Sequence, residues 1–164
     1  MKTLLHKYTN GNYDVSIYDD GTKEREFLKE PKPIWPESID IKISDYCNAG
    51  CKFCHENSTI NGKEGNYELA TRILSDYPAG TELAIGGGDP MSWSKLDQFL
   101  EYLHNKKVIS NITINNVHIK NYIPKVKEYI DQKFLYGVGI SYNKSNFRDS
   151  LPLLKLTNNV VYHV

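Results

Sequence analysis

An α/β fold of about five parallel strands with covering helices is what this 164-residue chain predicts. Three observations carry that expectation. From residue 38 onward, short β-branched runs alternate with longer amphipathic runs; turn or stop residues separate them; and the stretches richest in Cys, Gly and Asn fall just after strand runs. Parallel strands joined by right-handed crossovers gather their ligands at those carboxyl ends, whether helices cover one face of a curved sheet or both faces of an open one.

The first 37 residues stand apart from that pattern. Residues 12–27, NYDVSIYDDGTKEREF, set Tyr13, Val15 and Ile17 at alternate positions and then offer Asp20-Gly21, which suits a tight turn, so an N-terminal β-hairpin is predicted. Pro31, Pro33 and Pro36 follow, and proline lacks the N–H that a helix or ladder needs. This stretch reads as a connector, which divides the chain into 1–37 and a main unit, 38–164.

In the main unit, SIDIKIS (38–44) predicts the first strand, and YELATRILSDY (67–77) a helix with Leu69, Ile73 and Tyr77 on one face, stopped by Pro78 and Gly80. TELAIGGG (81–88) predicts the second strand. SKLDQFLEYLHNKK (94–107) predicts a helix burying Leu96, Phe99, Leu100 and Leu103, with Ser94 as its N-cap. NITINNVHI (111–119), YIPKVKEYIDQ (122–132) and LYGVGISYN (135–143) predict strand, helix and strand. SNFRDSLPLLKL (145–156) predicts a helix that Pro152 shortens or kinks, and NVVYHV (159–164) a fifth strand.

Composition narrows the class of partner. Twenty basic residues balance twenty acidic ones, and no Lys/Arg block builds the one-signed face that phosphate backbones or anionic lipids select, so nucleic acid is not favoured. No apolar run approaches the roughly 18 residues that span a bilayer, and the N-terminus turns polar at His6 before any export signal forms. The expectation is a cytoplasmic protein without a membrane partner. There, three cysteines make a poor disulfide framework, because thiols stay reduced and one would be left over.

All three, Cys47, Cys51 and Cys54, lie in the single stretch CNAGCKFCHEN (47–57). Buried core thiols have no reason to crowd a loop that also holds Asn48, Gly50, Lys52 and Glu56. Zinc would take the three thiols with His55 or a distant histidine, although structural zinc sites usually divide their ligands between two separated pairs. CKFCH fits the attachment pattern of c-type haem but leaves Cys47 unused. An iron–sulfur cluster accounts for all three, each thiolate on a different iron, and leaves one iron of a 4Fe-4S cube without a protein ligand.

Cys-x3-Cys-x2-Cys after the first strand of a β/α alternation, with Phe53 before the last Cys, resembles the radical S-adenosylmethionine (radical SAM) superfamily. GGGDP (86–90) is similar to that family's glycine-rich end of strand two, which usually closes with Glu where Asp89 stands; TINN and GISYN resemble its polar ends of strands three and four. The resemblance spans about 38–164. It implies a (β/α) barrel, here partial, since the family carries a further β/α unit, and so an open edge for a partner chain to cover. It implies a 4Fe-4S cluster on Cys47, Cys51 and Cys54, with the amino and carboxylate groups of S-adenosylmethionine at the open iron. Phe53 would stack near the adenine or anchor the loop as a core residue. Gly86, Gly87 and Gly88 would let the ligand approach the backbone or simply form a tight turn. Asp89, Asn115 and Ser141 are the remaining candidate cofactor contacts, a solvated strand end being the other reading of the last two. The implied reaction draws one electron from a flavodoxin or ferredoxin, cleaves the sulfonium, and abstracts hydrogen from an unread substrate with a 5′-deoxyadenosyl radical. A non-catalytic, zinc-stapled interaction module is the alternative.

Overall fold

The computed structural model of the protein describes residues 2–145 and 147–163. An antiparallel sheet, in the order β1 (Leu4–Asn10), β2 (Tyr13–Tyr18), β3 (Lys23–Glu26), precedes a parallel sheet of β4 (Ser38–Lys42), β5 (Glu82–Gly86), β6 (Ile109–Asn115), β7 (Gly137–Ser141) and β8 (Val160–His163). The helices α1 (Tyr67–Leu74), α2 (Leu96–Asn105), α3 (Ile119–Asp131) and α4 (Phe147–Ser150) fill the crossovers, α4 continuing as a 3-10 turn over Leu151–Lys155. Among the described residues no helix is long and apolar enough to cross a membrane.

The parallel strands lie in chain order, β4-β5-β6-β7-β8, so every crossover steps to the next neighbour and puts its helix on the same face. A doubly wound sheet would reverse direction and need apolar residues on both faces; these strands alternate instead. Leu83, Ile85, Ile112, Ile114, Val138 and Ile140 are buried against Leu74, Phe99, Leu100, Leu103 and Val126 of the helices. The opposite face carries small and polar residues in register, with Asp40 beside Ala84, Ala84 beside Asn111 and Asn111 beside Gly137. This is an α/β partial barrel with an apolar outer layer and a polar inner face.

Several boundaries differ from the sequence expectation, each for a local reason. The strand predicted over 111–119 runs Ile109–Asn115, because Asn115 Oδ1 accepts the Val117 N–H at 2.7 Å and turns the chain into α3. Ser94 is not the N-cap of α2. Lys95 holds that place without a side-chain bond, while the Glu64 carboxylate takes both the Ser94 N–H, at 2.9 Å, and its hydroxyl, at 2.6 Å. Pro152 ends the α-helical hydrogen bonding of the last crossover, as expected, and leaves a 3-10 turn. The N-terminal hairpin is present as β2 and β3, and β1 adds a third strand beside β2.

Proline-poor pairing in the connector is replaced by side chains. The buried Asn10 amide accepts the N–H groups of Ile34 and Trp35, each at 3.0 Å, and donates to the Trp35 carbonyl at 2.8 Å. The antiparallel sheet then docks across one end of the barrel. Tyr8, Tyr13, Val15 and Ile17 pack on Ile109; Lys23 bridges Glu37, at 3.5 Å, and Glu82, at 2.6 Å; Asn159 Nδ2 donates to the Asp19 carbonyl at 3.2 Å. Glu37, Glu82, Ile109 and Asn159 stand at or just before the starts of β4, β5, β6 and β8. The amino ends of the strands are therefore covered, and the opposite end is left for chemistry.

Glu37 is the centre of that docking. Arg25 Nη2 donates to its Oε2 at 2.7 Å and the Tyr13 hydroxyl to its Oε1 at 2.7 Å. Burial pushes the Glu37 carboxyl up, but Arg25, Tyr13 and Lys23 together outweigh it and hold it below its ordinary value of 4.5. A depressed carboxyl contributes stability that is present above its unfolded value and lost as pH falls through its folded value. Glu37→Gln is expected to cost about 1.5–3 kcal/mol at pH 7, the range for a bond to a charged group. Thermal melts of both proteins check it: the gap in melting temperature is expected to narrow as pH falls below 4.5 and to close as the lowered Glu37 carboxyl takes its proton, and a gap unchanged by pH would show that charge is not the cause.

Candidate metal centre

After β4, residues 43–47 are clamped from two sides. On one side the returning segment pairs with them: Cys47 N–H donates to the Thr59 carbonyl at 2.9 Å, Thr59 N–H to Asp45 at 3.1 Å, Asp45 N–H to Lys63 at 2.8 Å and Gly65 N–H to Ile43 at 2.8 Å. On the other side the glycine stretch ending β5 lies against them, with Gly88 N–H donating to Ser44 and Asp89 N–H to Tyr46, each at 2.7 Å. The cysteine loop is thus a lobe closed at its base and standing at the carboxyl end of the sheet. Lys42 Nζ fastens its far limb, reaching Asp45 Oδ1 at 2.6 Å, Glu56 Oε2 at 2.9 Å and the Glu56 carbonyl at 3.0 Å.

The three glycines do different work. Gly87 has φ +118° and a Cβ on it would sit 2.5 Å from the Ser44 carbonyl oxygen; one on Gly88 would sit 2.2 Å from that of Tyr46. These two serve the close approach of backbones. A Cβ on Gly86 would meet nothing within 4 Å, so that position leaves open space at the inner face.

Cys47 and Cys54 are half-buried and Cys51 is exposed; none is in a disulfide. Two of the thiols receive N–H donors. The Ala49 backbone N–H donates to Cys47 Sγ at 3.5 Å, and the Asn115 side-chain amide at the end of β6 donates to Cys51 Sγ at 3.4 Å. Burial pushes the Cys47 thiol up; the Ala49 N–H opposes that shift, and nearby Asp89, Cys51 and Cys54 add to it. A free Cys47 thiol therefore keeps its proton until a cation replaces it.

Among the described residues, no three His, Cys, Asp or Glu side chains converge as a single-ion site would require. A 4Fe-4S cube asks for something else, since each thiolate binds a separate iron and the sulfurs stay apart. Three thiols on one exposed lobe, two of them facing N–H donors, fit that group by the chemistry of the donor set.

The other candidate residues divide. Phe53 is 98 % exposed, which removes the core-anchor reading and leaves its ring free at the loop tip. Asp89 is 4 % exposed and its Oδ2 accepts the Tyr122 hydroxyl at 2.6 Å, so the carboxylate is turned into the protein. Burial first and the Asp89 carboxylate second push the Tyr122 hydroxyl upward, and the tyrosine keeps the proton of that bond. Ser141 pairs in register with Asn115 on one side and His163 on the other. Asn116 Nδ2 donates to the Asn143 carbonyl at 3.3 Å and ties the ends of β6 and β7 together. His55 Nε2 lies 3.2 Å from Glu56, its ring in solvent. Tyr122 and Lys42 escaped the sequence reading: Tyr122 sits on a helix face that reads as core, and an isolated strand lysine carries no signal until its carboxylates are known.

The family profile described as the radical SAM superfamily matches residues 41–159. Among curated proteins, the chain is 24 % identical over 162 residues to "Radical SAM cyclopropyl synthase TigE" of Paramaledivibacter caminithermalis, covering 84 % of this chain and 33 % of that protein. It is 25 % identical to a "Probable dual-specificity RNA methyltransferase RlmN" of Clostridium novyi, over 74 % of this chain and 38 % of that one, and 25 % identical to a "Probable GTP 3',8-cyclase" of Methanococcus maripaludis, over 56 % and 32 %. The chain thus spans about a third of the length of these relatives. No solved structure gives a significant match. With a profile covering most of the β/α unit, and a three-cysteine lobe at the carboxyl end of its first parallel strand, the chain belongs to the radical SAM superfamily.

Proposed function

We propose that Cys47, Cys51 and Cys54 hold a 4Fe-4S cluster and that the chain is the catalytic core of an enzyme using S-adenosylmethionine. The observation that carries this is the donor set itself: three thiols on one lobe at the open end of the barrel, the end at which Gly86 closes β5 with open space at its Cα. When bound, such a cluster supplies an electron that cleaves S-adenosylmethionine and yields a 5′-deoxyadenosyl radical for hydrogen abstraction.

The protein's own groups bind and orient. Gly86 leaves space for a ligand against the backbone, Ser141 offers a hydrogen bond from the end of β7, and exposed Phe53 offers a flat ring for the adenine, while the Asn115 amide is engaged by the Val117 N–H and Cys51 Sγ. Asp89 acts through the Tyr122 bond and the backbone clamp, as a buried support for the glycine stretch. The inner face, with Asn111, Thr113 and His163 around Gly137 and Gly139, suits a substrate rich in hydrogen-bonding groups. The relatives' names attach this chemistry to a cyclopropane-forming step, an RNA and a nucleotide, so membership does not select among substrates. A reduced flavodoxin or ferredoxin of the cytoplasm is the electron donor this reading calls for, and a partner chain or further segment the cover for the β8 edge.

Electron paramagnetic resonance on anaerobically reconstituted, dithionite-reduced protein tests the proposal. A cubane signal that shifts on adding S-adenosylmethionine is the expected result. A colourless protein holding zinc, with no response to S-adenosylmethionine, would sink it.

A further inference from the structure

The Asn115 amide is oriented before any ligand arrives. Its Oδ1 accepts the Val117 N–H at 2.7 Å, which fixes which end of the amide is which, and its Nδ2 is thereby aimed at Cys51 Sγ, 3.4 Å away. The two residues are 64 positions apart and meet because β6 ends opposite the cysteine lobe. Cys47 receives its N–H from Ala49, two residues along its own loop, a contact any tight loop can make. Cys51 is the exposed thiol, and its donor comes from the rigid barrel.

From this geometry we infer that Asn115 is a positioning residue that sets the electron affinity of the cluster through an N–H···S bond to Cys51. The inference rests on the proposed cluster. Hydrogen bonds to cluster sulfurs, with burial and net charge, set the reduction potential of iron–sulfur centres. A donor N–H draws electron density from a thiolate and favours the more negative, reduced form. Removing it lowers the potential, and replacing it with a carboxylate lowers it further. The turn that Asn115 makes with Val117 is a separate duty, served by Oδ1 alone.

Two variants separate those duties. Asn115→Asp keeps an oxygen for the Val117 N–H and loses the donor; Asn115→Leu loses both at similar size. Each is reconstituted beside the wild-type chain, iron and sulfide are counted, and the midpoint potential is read by paramagnetic resonance during a stepwise reductive titration. The expected order is wild type highest, then Leu, then Asp, with cluster content unchanged. The loss of the bond in Asn115→Leu is expected to shift the reduction equilibrium about tenfold, about 59 mV for one electron. Equal potentials, any other order, or loss of iron from both variants would overturn the inference while leaving the proposed cluster standing. A wild-type chain that takes up no cluster overturns both, and is seen before any variant is compared.

Discussion

Cys51→Ala protein, reconstituted without oxygen, is expected to fold as the wild type does and to carry iron and sulfide only at background level. The two halves of that result have separate causes. Cys51 is exposed, and its thiol accepts a hydrogen bond from the Asn115 amide. Surface substitutions of that kind change stability by no more than about 0.5 kcal/mol. As a ligand it would have no substitute, because the chain has only two other cysteines and the proposed ligation gives each of them its own iron. Cleavage of S-adenosylmethionine is expected to vanish with the cluster, while the thermal melt stays in place. The measurements are iron and sulfide content, the reduced paramagnetic signal, and 5′-deoxyadenosine release. A full cluster in this variant would show that Cys51 is not a ligand. A collapsed melting temperature would show that the lobe is part of the fold's support, as a zinc-stapled module requires.

Much of the architecture was legible because it rests on short-range periodicity. Period-two alternation in SIDIK, ELAIG and GVGIS marks strands with one apolar face, and stop residues between amphipathic runs mark the crossovers. What escaped was long-range or masked by a buried polar residue. The buried face of β1 includes Asn10, whose amide satisfies the connector, so the run does not look like a strand with an apolar face. Ser94, just before α2, is held by Glu64, 30 residues away, and no reading of local caps finds that carboxylate. Of the site, the cysteines and glycines announced themselves by residue type and spacing. The bond from Asn115 to Cys51 and the pair of Asp89 with Tyr122 did not, because neither partner is informative until the barrel brings strand end, helix and loop together.

The glycine stretch offers the second large effect, and with it a way to tell packing from ligand approach. Gly88→Ala would put a methyl 2.2 Å from the Tyr46 carbonyl oxygen and 2.8 Å from its carbon, backbone atoms that cannot turn aside. Relief requires the clamp to open, which stretches the bonds from Gly88 N–H to Ser44 and from Asp89 N–H to Tyr46. Overpacking of this kind costs about 1–3 kcal/mol, and each weakened hydrogen bond adds about 1 kcal/mol. At about 2–4 °C per kcal/mol for a domain of this size, the melting temperature is expected to fall by about 6–20 °C. The same strain acts on residues 43–47, the stalk of the cysteine lobe, so cluster uptake is expected to fall as well. Gly86→Ala meets open space and is expected to melt at or slightly above the wild-type temperature, since alanine restrains the unfolded chain more than glycine does. Its methyl stands instead where a ligand would approach the inner face. Full cluster content with weakened S-adenosylmethionine binding, read by the missing shift of the paramagnetic signal, is the expected outcome there. If Gly88→Ala melts normally, the clamp does not hold the lobe; if Gly86→Ala binds S-adenosylmethionine as tightly as the wild type, the ligand lies elsewhere on the barrel.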